Sequence, residues 1–238
     1  SESPSSRSGV EQPADLSRDM GRIQANVELP LASRQMASDS PLGNLFPNAN
    51  FAVERLSDLG TLWTFGYGVA WSPADAVSMI ASVTHEERAP TVEQLGAPLI
   101  TTPNVRTFDF TRREVVDITR LSGGNPGLQP DDRRVVRFGT NARPLRRTDL
   151  TLSVDYVAMR IDNPIAAFPL VTTQFETAFP DRFTRDDDDR LVGVDGRPLN
   201  FARADQQRVR WGINYTRPLG PVPPGMQSAR TIVAQSEA

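Results

Sequence analysis

The sequence predicts an all-β chain, an antiparallel up-and-down meander of about seven strands. Three observations carry this. Apolar and polar side chains alternate with a period of two in segment after segment, the pattern of a strand with one dry face. The connections are of two kinds, short turns and stretches of about 40 residues. No apolar period of 3.6 runs far enough between them to make a substantial helix.

Residues 1–20 are rich in Ser, Asp and Pro and read as a polar, disordered N-terminal segment. The first strand then places Ile23, Ala25, Val27, Leu29 and Leu31 opposite Gln24, Asn26 and Glu28, and the second places Ala49, Phe51 and Val53 opposite Asn50, Ala52 and Glu54. The third, TLWTFGYGVAWSP, is the clearest: Trp63, Phe65, Tyr67, Val69 and Trp71 alternate with Thr64, Gly66, Gly68 and Ala70. The fourth sets Val77, Met79, Ala81 and Val83 against Ser78, Ile80, Ser82 and Thr84. The fifth sets Val136, Phe138 and Ala142 against Arg137, Gly139, Asn141 and Arg143. In the sixth, Leu150, Leu152, Val154, Tyr156 and Ala158 face away from Thr151, Ser153, Asp155 and Met159. In the seventh, Val209, Trp211, Ile213 and Tyr215 face away from Arg208, Arg210, Gly212, Asn214 and Thr216. Residues 218–238 are a Pro/Gly-rich tail that cannot be a central strand.

Short turns with Pro and Asp fall at 72–75 and 144–149, and long connections at 88–131 and 162–204. The long ones lie at one end of the sheet and these short ones at the other; the connections at 32–47 and 57–61 follow this less cleanly. Compact soluble domains seldom keep structureless connections of such length unless they are functional. Short turns on one side and long loops on the other is the layout of an outer-membrane barrel.

The alternation by itself fits two solutions. In a soluble β-sandwich the apolar stripe meets a second sheet; in a membrane barrel it meets lipid and the polar face lines the lumen. Charges in mid-strand on the polar face (Glu28, Glu54, Arg137, Asp155, Arg210) favour a hydrated lumen. The stretch Trp63–Trp71 matches the roughly 9–11 residues of a tilted spanning strand. Trp and Tyr near the ends of the stripes fit interfacial aromatic girdles. The expected lipid-facing residues are therefore Trp63, Phe65, Tyr67, Val69, Trp71, Trp211 and Tyr215, and the meander is expected to be part of a larger transmembrane β-barrel.

Composition excludes several chemistries. The net charge is −3, with 26 basic residues that are all arginine, so no nucleic-acid partner is expected. One histidine, His85, and no cysteine leave almost nothing to ligate zinc, haem or an iron–sulfur cluster. No apolar run approaches the roughly 20 residues of a spanning helix, and the first 20 residues lack the apolar centre of a signal peptide.

RAPTVEQLG (88–96) follows directly on a strand, GGNPGLQPDD (123–132) leads directly into one, and LTLSVDYVAMRIDNPIA (150–166) comes next. In this order they resemble paired signatures in the C-terminal half of the barrel of TonB-dependent outer-membrane receptors, over roughly residues 20–217. The motif residues are Arg88, Ala89, Pro90, Gly124, Asn125, Pro126, Leu128 and Pro130, with Gln94 and Asp131 where the family usually has an acid and Glu. The resemblance implies a Gram-negative outer-membrane location and energised uptake of a scarce nutrient such as a siderophore. It also implies long extracellular loops at 88–131 and 162–204. The implied partners are outer-membrane lipid, the rest of the receptor (plug and further strands), TonB, and a small ligand of unknown identity. The family pattern has a plug, a TonB-contacting segment and a barrel of about 22 strands, none of which this chain completes. The chain therefore reads as an internal barrel fragment, inactive in transport by itself and with two open sheet edges that lipid cannot satisfy. A soluble β-sandwich that binds a ligand or carbohydrate is the alternative.

No enzyme is expected: no catalytic residue, cofactor or metal site is assigned. RDDDDRLVGVDGR (185–197) gathers Asp186 to Asp189 and Asp195, oxygen ligands of the kind Ca²⁺ takes, but without EF-hand spacing. A solvated loop tip with a turn at its DGR is the expectation. His85 with Glu86 and Glu87 reads as a rim residue, because neighbours on a strand face opposite ways, and a lone histidine makes no triad. Nothing in the sequence brings Glu54 and Asp155 together. Arg137, Arg143, Arg208 and Arg210 either steer an anionic ligand or pack against a plug, the second being preferred.

Overall fold

The computed structural model describes residues 17–34, 42–145, 149–169, 171–217 and 234–235. In chain order its elements are β1 (Met20–Glu28), β2 (Asn44–Leu56), β3 (Gly60–Ala74), β4 (Val77–Arg88), α1 (Val92–Gly96), β5 (Ile100–Asp109), β6 (Glu114–Ser122), β7 (Asp131–Ala142) and β8 (Asp149–Asp162). There follow β9 (Ile165–Ala166), α2 (Thr173–Ala178), β10 (Phe183–Arg185), β11 (Leu191–Asp195), β12 (Leu199–Asn200), β13 (Arg203–Thr216) and β14 (Ala234–Gln235). The N-terminal segment up to residue 16 and all of the tail after 217 except 234–235 lie outside the described residues.

Seven long strands lie side by side in the order β1-β2-β3-β4-β7-β8-β13, and β14 adds two residues along β13. Every neighbouring pair is antiparallel. These are the seven strands the alternation predicts, joined as an up-and-down meander. Because side chains alternate strictly, register decides which residues share a face. Trp71 pairs with Met79, Met79 with Thr140, Thr140 with Val154 and Val154 with Trp211, so the stripes of β3 and β13 lie on one face. That face is open: Trp63 is 47 %, Tyr67 54 % and Trp211 53 % exposed. Phe65, Trp71 and Tyr215 are exposed too, and Val69 is half-buried. The opposite face carries Arg22, Asn50, Glu54, Thr84, Glu86, Arg137, Asp155 and Arg208.

The connections that follow β1, β3 and β7 leave from one end of the sheet, and those that follow β2, β4 and β8 from the other. The medium connection at 29–43 thus belongs with the turns, and only the tight 57–59 turn departs from a division into a turn end and a loop end.

The two long connections differ from plain loops, because they fold together. A second sheet runs β10-β11-β6-β5, taking β5 and β6 from the first connection and β10 and β11 from the second, with β11 parallel to β6. A short β9–β12 pair closes the second connection on itself. Pairing across the connections satisfies backbone groups that a structureless loop would leave to water. Val116, Ile118, Leu191 and Val194 form the buried core, with Val105, Phe168, Val171 and Phe183 packed on it. The second sheet therefore buries its own apolar side chains and leaves the tryptophan stripe exposed, which is not the arrangement of a sandwich.

Candidate functional site

The base of the loop end is built from the two motifs. Thr91 caps α1: its Oγ1 accepts from the Gln94 N–H at 3.1 Å, and Gln94 Oε1 accepts from the Thr91 N–H at 2.9 Å. This is a capping box, which Glu or Gln serves equally, so Gln94 fulfils that role where the family usually has an acid. Pro90 is fully buried, and its carbonyl accepts from Arg18 Nη1 at 2.8 Å. Arg88 is exposed and sits across from Asp131 in the β4–β7 register, while Ala89 is half-buried.

The second motif closes on the first. The Gly124 N–H donates to the Ala97 carbonyl at 2.9 Å and the Asn125 N–H to the Gln94 carbonyl at 2.7 Å. Asn125 Oδ1 accepts from the Gly127 N–H, and its Nδ2 donates to the Pro198 carbonyl at 2.8 Å. Leu128 is buried, Pro126 is exposed and Pro130 half-buried. Asn200, on β12, joins the same collar: its Oδ1 accepts from the Gln129 N–H, and its Nδ2 donates to the carbonyls of Gln129 and Asn163. The motif residues are thus the knot that ties both loops to the mouth of the sheet. Asn200→Ala is expected to cost about 1 kcal/mol, read as faster amide exchange at Gln129 with strands β8 and β13 unchanged.

Above the collar, beside the β6–β11 pairing, Arg185 ties the two loops together. Arg185 grips Asp109 with two parallel bonds, Nη1 to Oδ2 at 2.8 Å and Nη2 to Oδ1 at 3.0 Å. It grips Glu176 with two more, Nε to Oε1 at 2.7 Å and Nη2 to Oε2 at 3.0 Å, and Nη1 also donates to the Asp189 carbonyl at 2.7 Å. All five guanidinium N–H donors are used. Asp109 is fully buried and also accepts from the backbone N–H groups of Thr111, Arg112 and Leu191. Arg185 and these donors hold its carboxyl down to about 2, against the burial that opposes ionisation. Beside this pair Phe168, Phe175, Phe179, Phe183 and Phe201 pack ring against ring at centroid distances of 4.8–6.2 Å.

The acidic stretch is a hairpin tip. Asp186 Oδ1 accepts from the N–H groups of Asp188 and Arg190, closing the turn between β10 and β11. Burial pushes the Asp195 carboxyl up, but Arg197 and Arg182 outweigh it and hold it below its usual range. Among the described residues no three His, Asp or Glu side chains converge to hold a metal ion. His85 stacks on Phe65 at 4.5 Å, while Glu86 points to the other face and pairs with Arg88. Glu54 and Asp155 lie on β2 and β8 and do not meet.

A cleft of about 470 Å³ opens in the cap. Val105, Ile118, Phe168 and Val194 give it apolar walls, and Arg106 and Arg120 line it with charge. Among the described residues Arg106 reaches only Asp117, at 3.6 Å with both side chains exposed. Apolar surface with a few placed charges is what a small-ligand site needs. The sequence reading missed these residues and the Arg185 pair alike. The available signal was the alternation of Val116 and Ile118 in EVVDITRLS beside Val105 and Thr107 in VRTFDF.

An open meander with an exposed apolar face and interlocked loops at one end has the fold of a stretch of wall from an outer-membrane β-barrel receptor, with its external loops. The structure is similar to that of the siderophore receptor PirA from Acinetobacter baumannii (TM-score 0.57, 14 % identity, covering 85 % of this chain and 26 % of that one). It is also similar to PirA from Pseudomonas aeruginosa (0.57, 13 %, 86 % and 32 %). A third similar structure is the ferric enterobactin receptor PfeA from the same organism, a mutant in complex with enterobactin (0.58, 13 %, 85 % and 25 %). At such identities the likeness is one of fold, and this chain spans about a quarter to a third of the length of those receptors. No protein-family model and no curated protein sequence matches the chain. Among the described residues no helix is long and apolar enough to cross a membrane, which says nothing of strands.

Proposed function

We propose that the chain is part of the wall and mouth of a TonB-dependent outer-membrane receptor, and that it takes part in capturing a siderophore-like ligand for energised uptake. The observation that carries this reading is the pairing of an exposed aromatic face on seven meandering strands with two long loops that fold as one cap. Trp63, Phe65, Tyr67, Val69, Trp71, Trp211 and Tyr215 then meet lipid, and the polar face turns to the lumen. Loops 88–131 and 162–204 are extracellular. Plug and TonB are partners of the intact receptor, so the chain by itself does not transport. No covalent chemistry is needed, and the reading assigns no catalytic residue, cofactor or resident metal.

The cleft fits an anionic, partly apolar ligand, because Arg106 and Arg120 sit beside Phe168 and Val105. Titrating the chain in detergent with ferric enterobactin, followed by equilibrium dialysis, is expected to give saturable binding. The double change Arg106→Ala with Arg120→Ala is expected to weaken it at least about tenfold, the worth of one hydrogen bond to a charged group. Absence of saturable binding, or binding untouched by the double change, refutes the cleft as the capture site.

A further inference from the structure

On the apolar face, Phe65, His85, Arg134, Arg160 and Asp205 form one row across β3, β4, β7, β8 and β13. This row is where the face changes character. Toward the turn end the next rows run Val83–Val136–Ala158–Gln207, then Ala81–Phe138–Tyr156–Val209, then Met79–Thr140–Val154–Trp211. Toward the loop end the next row is Glu87–Asp132–Asp162–Arg203, in which Asp162 is held by Arg203 at 2.8 Å. At the boundary itself lies a hollow of about 210 Å³. Val136 and Ala158 form its floor, and Arg134, Arg160, Asp205 and Gln207 surround it. It exists because Val136 and Ala158, paired in register, contribute only short side chains beside the long ones of Arg134, Arg160 and Gln207.

The charges around the hollow are incompletely matched. The Arg134 side chain makes no hydrogen bond or ion pair among the described residues, although its backbone is paired in the sheet. Arg160 gives its Nε to Asp205 Oδ1 at 2.8 Å, and its two terminal amino groups have no partner among the described residues. Arg134 and Arg160 are registered opposite each other, and like charges directly across a strand pair repel unless an anion sits between them.

We propose that this hollow binds one phosphate-bearing lipid molecule of the outer leaflet. The phosphate lies between Arg134 and Arg160, and an acyl chain runs over Ala158 and Val136 toward Tyr156 and Trp211. The proposal rests on the reading of this face as lipid-facing. Two guanidinium forks suit phosphate geometry, and side chains opposite each other on paired strands are close enough to share one phosphate. A lipid, and not a free anion, is the occupant because the charged wall is continuous with an apolar floor that a free anion has no use for.

The three tryptophans, all on this face, report the occupant directly. The 238-residue chain is reconstituted in phosphatidylcholine vesicles containing a minor share of phosphatidic acid, with bromine on the acyl chains of one lipid or the other. Brominated phosphatidic acid is expected to quench more strongly than its mole fraction allows, a preference of about fivefold for each guanidinium near an anionic headgroup. The double change Arg134→Gln with Arg160→Gln is expected to reduce the preference to one, whereas Arg208→Gln on the opposite face leaves it intact. No preference in the unaltered chain, or a preference that survives the double change, overturns the proposal while leaving the wall reading standing. Loss of the preference on adding millimolar glycerol phosphate reveals a simple anion site and overturns the lipid assignment. Failure of brominated phosphatidylcholine itself to quench overturns the lipid-facing reading, and the proposal with it.

Discussion

Arg185→Met is expected to open the loop cap while leaving the seven-stranded sheet in place. The change removes all five guanidinium bonds and strands Asp109, which is fully buried, without a counter-ion. Breaking a buried, hydrogen-bonded pair from one side costs about 3–5 kcal/mol, because the remaining charge is left in a low-dielectric site. Glu176, 17 % exposed at its side chain, keeps access to water, so most of the cost falls on Asp109. The expected observation is fast amide exchange at Val116, Ile118, Leu191 and Val194, the core that the latch closes over, with exchange in β8 and β13 unchanged. Replacing both partners by leucine is expected to restore much of the protection, since an apolar pair carries no desolvation penalty.

The same pair sets an acid limit on the unaltered cap. Asp109 has its carboxyl lowered from 3.8 to about 2 in the folded state, so its contribution is fully present above the unfolded value. It is lost as pH falls from about 4 through about 2. In Arg185→Met the dependence inverts: protonating the stranded Asp109 relieves its burial penalty, so acid narrows the gap between the two proteins. Protection factors measured from pH 6 down to pH 3 test both signs. A gap that widens on acidification would show that Asp109 is not the group responsible.

The long strands were legible because a half-dry sheet writes its face into every second residue, and a run such as Trp63–Trp71 has no competing helical reading. Their register was legible only as far as the turns allowed, which is why the 29–43 connection could not be placed beforehand. The cap was hidden for a different reason. Its strands are short, β11 finds its parallel partner more than 70 residues away in β6, and the inward position next to Val105 and Thr107 is an aspartate. Asp109 breaks the apolar pattern on paper and completes the core in space, because Arg185 comes from the other loop to neutralise it. Pairing at that sequence distance leaves no local trace. The acidic run at 186–189 only closes a hairpin tip, and the residue that joins the loops is its neighbour Arg185.

The motifs were legible as strings, and their physical reason is the collar. Gly124→Ala is expected to loosen it. A Cβ at Gly124 would stand 2.5 Å from the Ala97 nitrogen, 2.6 Å from the Gly96 nitrogen and 2.7 Å from the Leu95 carbonyl carbon. All three are backbone atoms of the end of α1, so no side chain can swing aside. The strand of bonds from Gly124 to Ala97 and from Asn125 to Gln94 must lengthen instead, or α1 must lift away from the second motif. Overpacking of this kind costs about 1–3 kcal/mol. Gly127→Ala, three residues further along the same loop, is the control: its Cβ would meet only Asn125 Oδ1, a side-chain atom, at 3.3 Å. Limited proteolysis in detergent is expected to cut Gly124→Ala at 89–130 several times faster than the parent, and Gly127→Ala at nearly the parent rate. Equal rates for the two variants would mean that α1 does not need to sit against the second motif, and the collar would lose its role in holding the loops over the mouth.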